Sequence, residues 1–170
     1  MFLHTKLENR KNPIRIAFIG CGKFVSMFLS QYTHLEKIEI DSIVDLNIEQ
    51  AKKNCLKSGI IEEEISKIYF SNHLDEILDR NIDIFIEATG NPIIGTVHAT
   101  KILNNKKHLV LVNVEADITC GKYLSDLAEK NGVICSMAYG DQPSLILEQI
   151  EWARLNGFEV ICAGKGTKYH

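Results

Sequence analysis

Seven short apolar runs punctuate the chain, at residues 14–20, 38–44, 67–70, 82–87, 108–112, 133–136 and 159–163. They are continuous runs with little polar alternation, which predicts strands buried on both faces. Between them the apolar spacing changes to that of helices. Phe24, Val25, Phe28 and Leu29 fall on one face of a helix over 24–32. Helices are likewise predicted at 48–56, 74–78, 94–103, 117–130 and 142–155. Ser58-Gly59, Asn131-Gly132 and Asn156-Gly157 stop three of them, and Gln142-Pro143 opens the last. Ser71 or Asn72 is the expected cap of the short helix. Residues 1–13 read as an N-terminal arm, and 14–170 as one domain.

Strand and helix alternate from residue 14 onward. The predicted fold class is therefore α/β: a doubly wound, mostly parallel sheet with helices on both faces. Such sheets bind ligands beyond the carboxyl ends of their strands. Here those ends carry Gly20-Cys21-Gly22, Asp45, Ala88-Thr89-Gly90, Asn113-Val114-Glu115, Tyr139-Gly140-Asp141 and Gly164-Lys165-Gly166.

The first of these segments follows a strand and opens a helix. Gly20 permits a tight turn, and Gly22 lets the backbone approach a pyrophosphate seated on the helix N-terminus. Val25 stands where a third glycine is usual, a place that serves close helix packing. The expected cofactor contacts are Gly20, Cys21, Gly22, Lys23, Phe24, Val25, Asp45, Ala88, Thr89, Gly90 and Asn113. Asp45 ends the second strand about 20 residues after the glycines, where an acid accepts hydrogen bonds from an adenosine ribose and favours NAD over NADP. Lys52 and Lys53 leave NADP open, and capping of the next helix is the plainer role for Asp45. Glu115, Asp141 and Lys165 are the candidate catalytic residues. Lys165, between two glycines, is placed to bind a phosphate or polarise a carbonyl. The plainer readings are helix-terminus acids for Glu115 and Asp141 and a solvated tail for Lys165. His98 and His108 read as surface or strand-end residues, and no metal spacing appears. Trp152 reads as core or interface.

Composition narrows the function classes. The formal charge of -3 over 170 residues, with scattered bases, argues against a nucleic-acid binder. The five cysteines contain no CxxC and suggest neither a disulfide framework nor a zinc site. No signal peptide or membrane-length apolar run is present. A cytoplasmic protein is the expectation, with a small-molecule substrate and no membrane partner.

Three segments carry a resemblance: Val112-Asn113-Val114-Glu115-Ala116-Asp117-Ile118-Thr119-Cys120-Gly121, Tyr139-Gly140-Asp141-Gln142-Pro143, and Cys162-Ala163-Gly164-Lys165-Gly166-Thr167-Lys168-Tyr169. From about residue 14 to the end, the chain resembles the homoserine-dehydrogenase-like oxidoreductases with a C-terminal SAF domain. It looks most like their 1-deoxy-D-xylulose 5-phosphate reductoisomerase-like branch. The resemblance implies a Rossmann domain, NADPH use and a homodimer. It also implies isomerisation plus reduction of deoxyxylulose phosphate, a step of isoprenoid biosynthesis. Ordinary homoserine dehydrogenases have lysine where Glu115 stands, and the family usually has alanine or methionine-glycine where this chain reads Lys23-Phe24-Val25. Family members continue for several hundred residues, so the chain is expected to be the cofactor-binding portion. Two other readings stay open: a non-catalytic dinucleotide-binding or sensing module (or a truncated product without turnover), and a methyltransferase.

Overall fold

The computed structural model describes residues 3–139 and 142–164. The order of elements is α1 (Leu3–Glu8), β1 (Ile14–Ile19), α2 (Lys23–Tyr32), β2 (Ile38–Val44), α3 (Ile48–Lys57), α4 (Glu62–Ile65), β3 (Tyr69–Ser71), a 3-10 turn (Leu74–Glu76), β4 (Ile84–Glu87), α5 (Pro92–Asn104), β5 (His108–Leu111), α6 (Val114–Asn131), β6 (Cys135–Met137) and α7 (Gln142–Leu155). The chain forms two compact units, residues 1–136 and 137–170.

The six strands make one sheet in the order β3-β2-β1-β4-β5-β6. The pairings β1·β2, β2·β3, β1·β4 and β4·β5 are all parallel. This is a doubly wound Rossmann-type sheet, as the alternation of elements predicts. The order reverses direction between β1 and β4, which opens a crevice above their carboxyl ends.

Successive residues of β1 serve opposite faces. Ile16 and Phe18 join Val25 and Leu29 of α2 and Ala51 and Cys55 of α3 in one core cluster. The Phe18 ring meets Phe28 edge-on, with centroids 5.2 Å apart. Ala17 and Ile19 fall on the other face of β1. Beyond that strand, Phe85, Ala99, Ile102, Leu103, Leu109, Leu111 and Leu124 are also buried, from β4, β5, α5 and α6.

One irregularity interrupts the β1·β2 ladder. Ile16 pairs with Ile40, but Ala17 pairs with Ser42, so Asp41 is skipped. The bulge leaves a buried carboxylate in mid-strand. Arg15 pairs with its Oδ2, and its Oδ1 accepts from Arg80 Nε at 2.7 Å and from the Ser42 hydroxyl at 2.5 Å.

Several boundaries differ from the sequence reading. The N-terminal arm contains a six-residue helix. Helix α6 starts at Val114, three residues earlier than predicted, because Asn113 caps it: its Oδ1 accepts from the Ala116 N–H at 3.2 Å. The predicted helix at 74–78 shrinks to a 3-10 turn without a side-chain cap. Residues 159–163 form no strand, and Ile161 is exposed. An apolar run becomes a strand only when another strand takes its N–H and C=O groups, and here none does. Trp152 is exposed on α7 and is not a core residue.

Helix α6 ends on Gly132, whose φ of +68° gives a left-handed cap that lets its N–H reach Ala128 O and Glu129 O. Gly132→Ala is expected to cost about 1 kcal/mol, because a side chain disfavours that conformation. Urea denaturation measures the loss, and an unchanged midpoint counts against it.

Candidate functional site

The carboxyl ends of β1, β2 and β4 enclose a cleft of about 540 Å³. Ile19, Gly20, Val44 and Asp45 line one side, and Thr89, Asn91, Ile94 and His98 the other; Leu46 and Asn72 complete it.

The glycine turn is held from both flanks. Gly20 N–H donates to Val44 O at 2.7 Å, and Ala88 N–H donates to Ile19 O at 2.8 Å. Gly20 has a φ of +88°, and a Cβ there would stand 2.8 Å from Ala88 O. Gly22 has the opposite character. Its Cβ would meet no atom within 4 Å, so it borders open space. Gly22 is the N-cap of α2, and the first intrahelical bond, Ser26 N–H to Gly22 O, closes at 3.0 Å. The N–H groups of Lys23, Phe24 and Val25 precede it, and at a helix start such groups form an anion site.

Asp45 fastens this turn. Its Oδ2 accepts the Cys21 N–H at 2.7 Å, and its Oδ1 accepts the Asn47 N–H at 2.8 Å. Capping of α3 falls instead to Asn47, whose Oδ1 accepts the Gln50 N–H at 3.0 Å. The carboxylate thus retains lone pairs toward the cleft, since each oxygen can accept more than one bond. Cys21 contributes through its backbone alone. Its carbonyl accepts from Asn54 Nδ2 at 2.8 Å, and its thiol is buried against Cys55. Both thiols are free, and the hydrogen bond with Cys55, and then burial, push the Cys21 thiol well above its ordinary range. Val25 is fully buried, so its side chain packs in the core, while Lys23 and Phe24 are exposed.

A second hydrogen-bonded layer lies under the Ala88-Thr89-Gly90 loop. Glu87 is wholly buried at the end of β4, and its Oε1 accepts from both the backbone N–H and the hydroxyl of Thr89. Asn91 caps α5 by accepting from Ile93 N–H at 3.0 Å and Ile94 N–H at 3.1 Å. Asn113, also buried, donates through Nδ2 to Asn91 O at 2.9 Å and so ties this loop to the start of α6. Gly95 closes the contact: a Cβ there would lie 2.5 Å from Asn113 Nδ2 and 2.9 Å from Glu87 Oε2.

The structure therefore gathers Gly20, Asp45 and Thr89 around one cleft, with Asn113 bracing its rim. Glu115 stands exposed in the first turn of α6. Asp141 and Lys165 lie outside the described residues. Sequence reading missed Glu87, Asn91 and His98. The strand-end glutamate was visible but looked like part of an apolar run. His98 is half-buried on α5 and lines the cleft, so it is not a strand-end residue. His108 does start β5, and its Nδ1 accepts from Ile134 N–H at 3.0 Å.

Residues 14–139 match the model of an oxidoreductase family with an NAD-binding Rossmann fold. The chain belongs to that family. Residues 140–170 match the catalytic domain of oxidoreductase DRL. Among solved structures, the WlbA dehydrogenase of Bordetella pertussis, in complex with NADH and UDP-GlcNAcA, is 19% identical with a TM-score of 0.63; the match covers 86% of this chain and 44% of that one. S. aureus homoserine dehydrogenase is 26% identical with a TM-score of 0.53, over 75% of this chain and 32% of the other. This chain thus spans less than half the length of either. A shikimate kinase of Staphylococcus epidermidis is 26% identical over 120 residues, covering 69% of this chain and 67% of that protein. Phosphoryl transfer of that kind uses G-x-x-x-x-G-K-[ST], and no such motif occurs in the 170 residues. Among the described residues no helix is long and apolar enough to cross a membrane.

Proposed function

We propose that the cleft holds NAD(H) and that the chain is the cofactor-binding portion of an oxidoreductase. The observation that carries this is Asp45, buttressing the glycine turn while keeping acceptor capacity toward the cleft. The pyrophosphate would lie across Gly22 and the first turn of α2, and the adenosine ribose would donate to Asp45. That two proteins sharing the fold, WlbA and GenD2 from gentamicin A biosynthesis, bind NADH and NAD supports a dinucleotide as the ligand. When bound, the nicotinamide supplies hydride chemistry. The chain's own residues bind and orient it: Asp45 selects a free 2′-hydroxyl over a 2′-phosphate, whose charge it would repel.

For the substrate, our reading is a small phosphorylated keto-sugar, with 1-deoxy-D-xylulose 5-phosphate as the type compound. Glu115, Asp141 and Lys165 are its proposed contacts, and a homodimer its proposed assembly. This reading rests on the resemblance carried by residues 112–121, 139–143 and 162–169; the match of residues 140–170 to the catalytic domain of oxidoreductase DRL supports its oxidoreductase part.

Calorimetric titration tests the cofactor. NADH is expected to bind more tightly than NADPH. Asp45→Asn is expected to lose NADH affinity by about tenfold or more, the scale of a hydrogen bond to a charged group, and to narrow the preference. Folded protein that binds neither dinucleotide would falsify the proposal.

A further inference from the structure

Two buried polar atoms beneath the cleft lack partners. Among the described residues, Glu87 Oε2 and His98 Nδ1 are both buried and without a hydrogen bond. They belong to elements that press together. Glu87 ends β4, and its Oε2 lies 2.9 Å from where a Cβ of Gly95 would stand on α5. His98 is one turn further along the same helix, at the i, i+3 spacing that shares a face. A buried acceptor and a buried ring nitrogen are each costly alone and mutually compensating.

We propose that Glu87 is a positioning residue that acts on the cleft through His98. Its free oxygen accepts the His98 Nδ1–H, which leaves Nε2 as a hydrogen-bond acceptor on the cleft side. The partner that fits such an acceptor is the exocyclic amino group of adenine, since His98 lines the same cleft as Asp45. This rests on the reading that the cleft holds a dinucleotide. A neutral imidazole is required, and burial holds His98 below the ordinary imidazole range. The charges acting on it are Glu87 and Asp75, which oppose that lowering, and Lys101, which reinforces it. An imidazole fixed in one tautomer by a carboxylate on its far nitrogen reads donor from acceptor on the near one.

The first test needs no ligand and no variant. Long-range nitrogen–proton NMR of the wild-type chain at pH 7.5 should show His98 as the Nδ1–H tautomer. The Nε2–H tautomer there overturns the proposal, because Glu87 would then be engaged with the second N–H of Asn113. The second test is isosteric. Glu87→Gln places an amide that can donate to Nδ1, and it should drive His98 to the Nε2–H form. Wild type should prefer NADH over its hypoxanthine analogue by about tenfold, the scale of one hydrogen bond. The hypoxanthine carbonyl replaces the amino donor with an acceptor, so Glu87→Gln should erase or reverse that preference, and His98→Ala should erase it. A preference that survives both substitutions overturns the adenine assignment. Failure of both dinucleotides to bind, with the tautomer as expected, would remove the cofactor reading and the adenine contact while leaving the Glu87–His98 pair standing.

Discussion

Gly20→Ala is expected to lower the unfolding free energy by about 2–5 kcal/mol and to remove measurable NADH binding. Two costs add. A side chain at a φ of +88° carries roughly 1–2 kcal/mol of backbone strain. The new methyl also meets a backbone carbonyl, Ala88 O, at 2.8 Å. Overpacking of that kind costs typically 1–3 kcal/mol, and the carbonyl cannot easily yield. The neighbouring Ala88 N–H is already bonded to Ile19 O at 2.8 Å, which locks the two segments together. Gly22→Ala is the informative companion. Gly22 has a φ of -84° and open space around it, so Gly22→Ala should lose only the preference of an N-cap for glycine over alanine, about 1 kcal/mol or less. Its cofactor affinity should nonetheless fall, because the methyl enters the space assigned to the pyrophosphate. Urea denaturation and calorimetric NADH titration on both variants separate the roles. Equal stability losses, or unimpaired binding by Gly22→Ala, would count against the division.

Asp41→Ala is expected to cost about 3 kcal/mol of stability without altering the cleft. Removing one partner of a buried ion pair costs roughly 3–5 kcal/mol. The lower end applies because the Arg15 and Arg80 side chains are 31% and 38% exposed and can regain some water. The same carboxylate sets an acid limit. Burial pushes Asp41 upward, but hydrogen bonds from Arg80 and Ser42, the charge of Arg80 and the bond from Arg15 hold it below the ordinary carboxylate range. A group depressed in the folded state stabilises the fold above its unfolded value, near 4, and that contribution is lost as pH falls through the folded value. Wild-type stability should therefore drop below about pH 4, and Asp41→Ala should show a flatter acid limb. An identical limb in both proteins would assign acid sensitivity elsewhere.

The two variants sit at opposite ends of what could be read from the chain. Gly20 announces itself, since a glycine between an apolar run and a helix has few other uses. Asp41 does not. Within residues 38–44 it looks like one polar interruption of a strand, and nothing local shows that a register slip buries it beside two arginines from elsewhere in the chain. Glu87 and His98 escaped for the same reason: one closes an apolar run, the other sits within a helical pattern, and only the packing of α5 on β4 makes them neighbours.

The amino-acid sequence by itself determined the alternation of elements, the parallel sheet, the glycine turn and the acid that follows it. Each of these depends on local periodicity or on the conformational limits of single residues, which a chain expresses without reference to its partners. The tertiary structure decided the rest: which apolar run would go unpaired, as 159–163 does; which acid would be buried between arginines; and which polar atoms would be buried beneath the cleft. Those outcomes depend on groups distant in sequence competing for the same hydrogen bonds and the same space, and that competition is resolved only when the chain is folded.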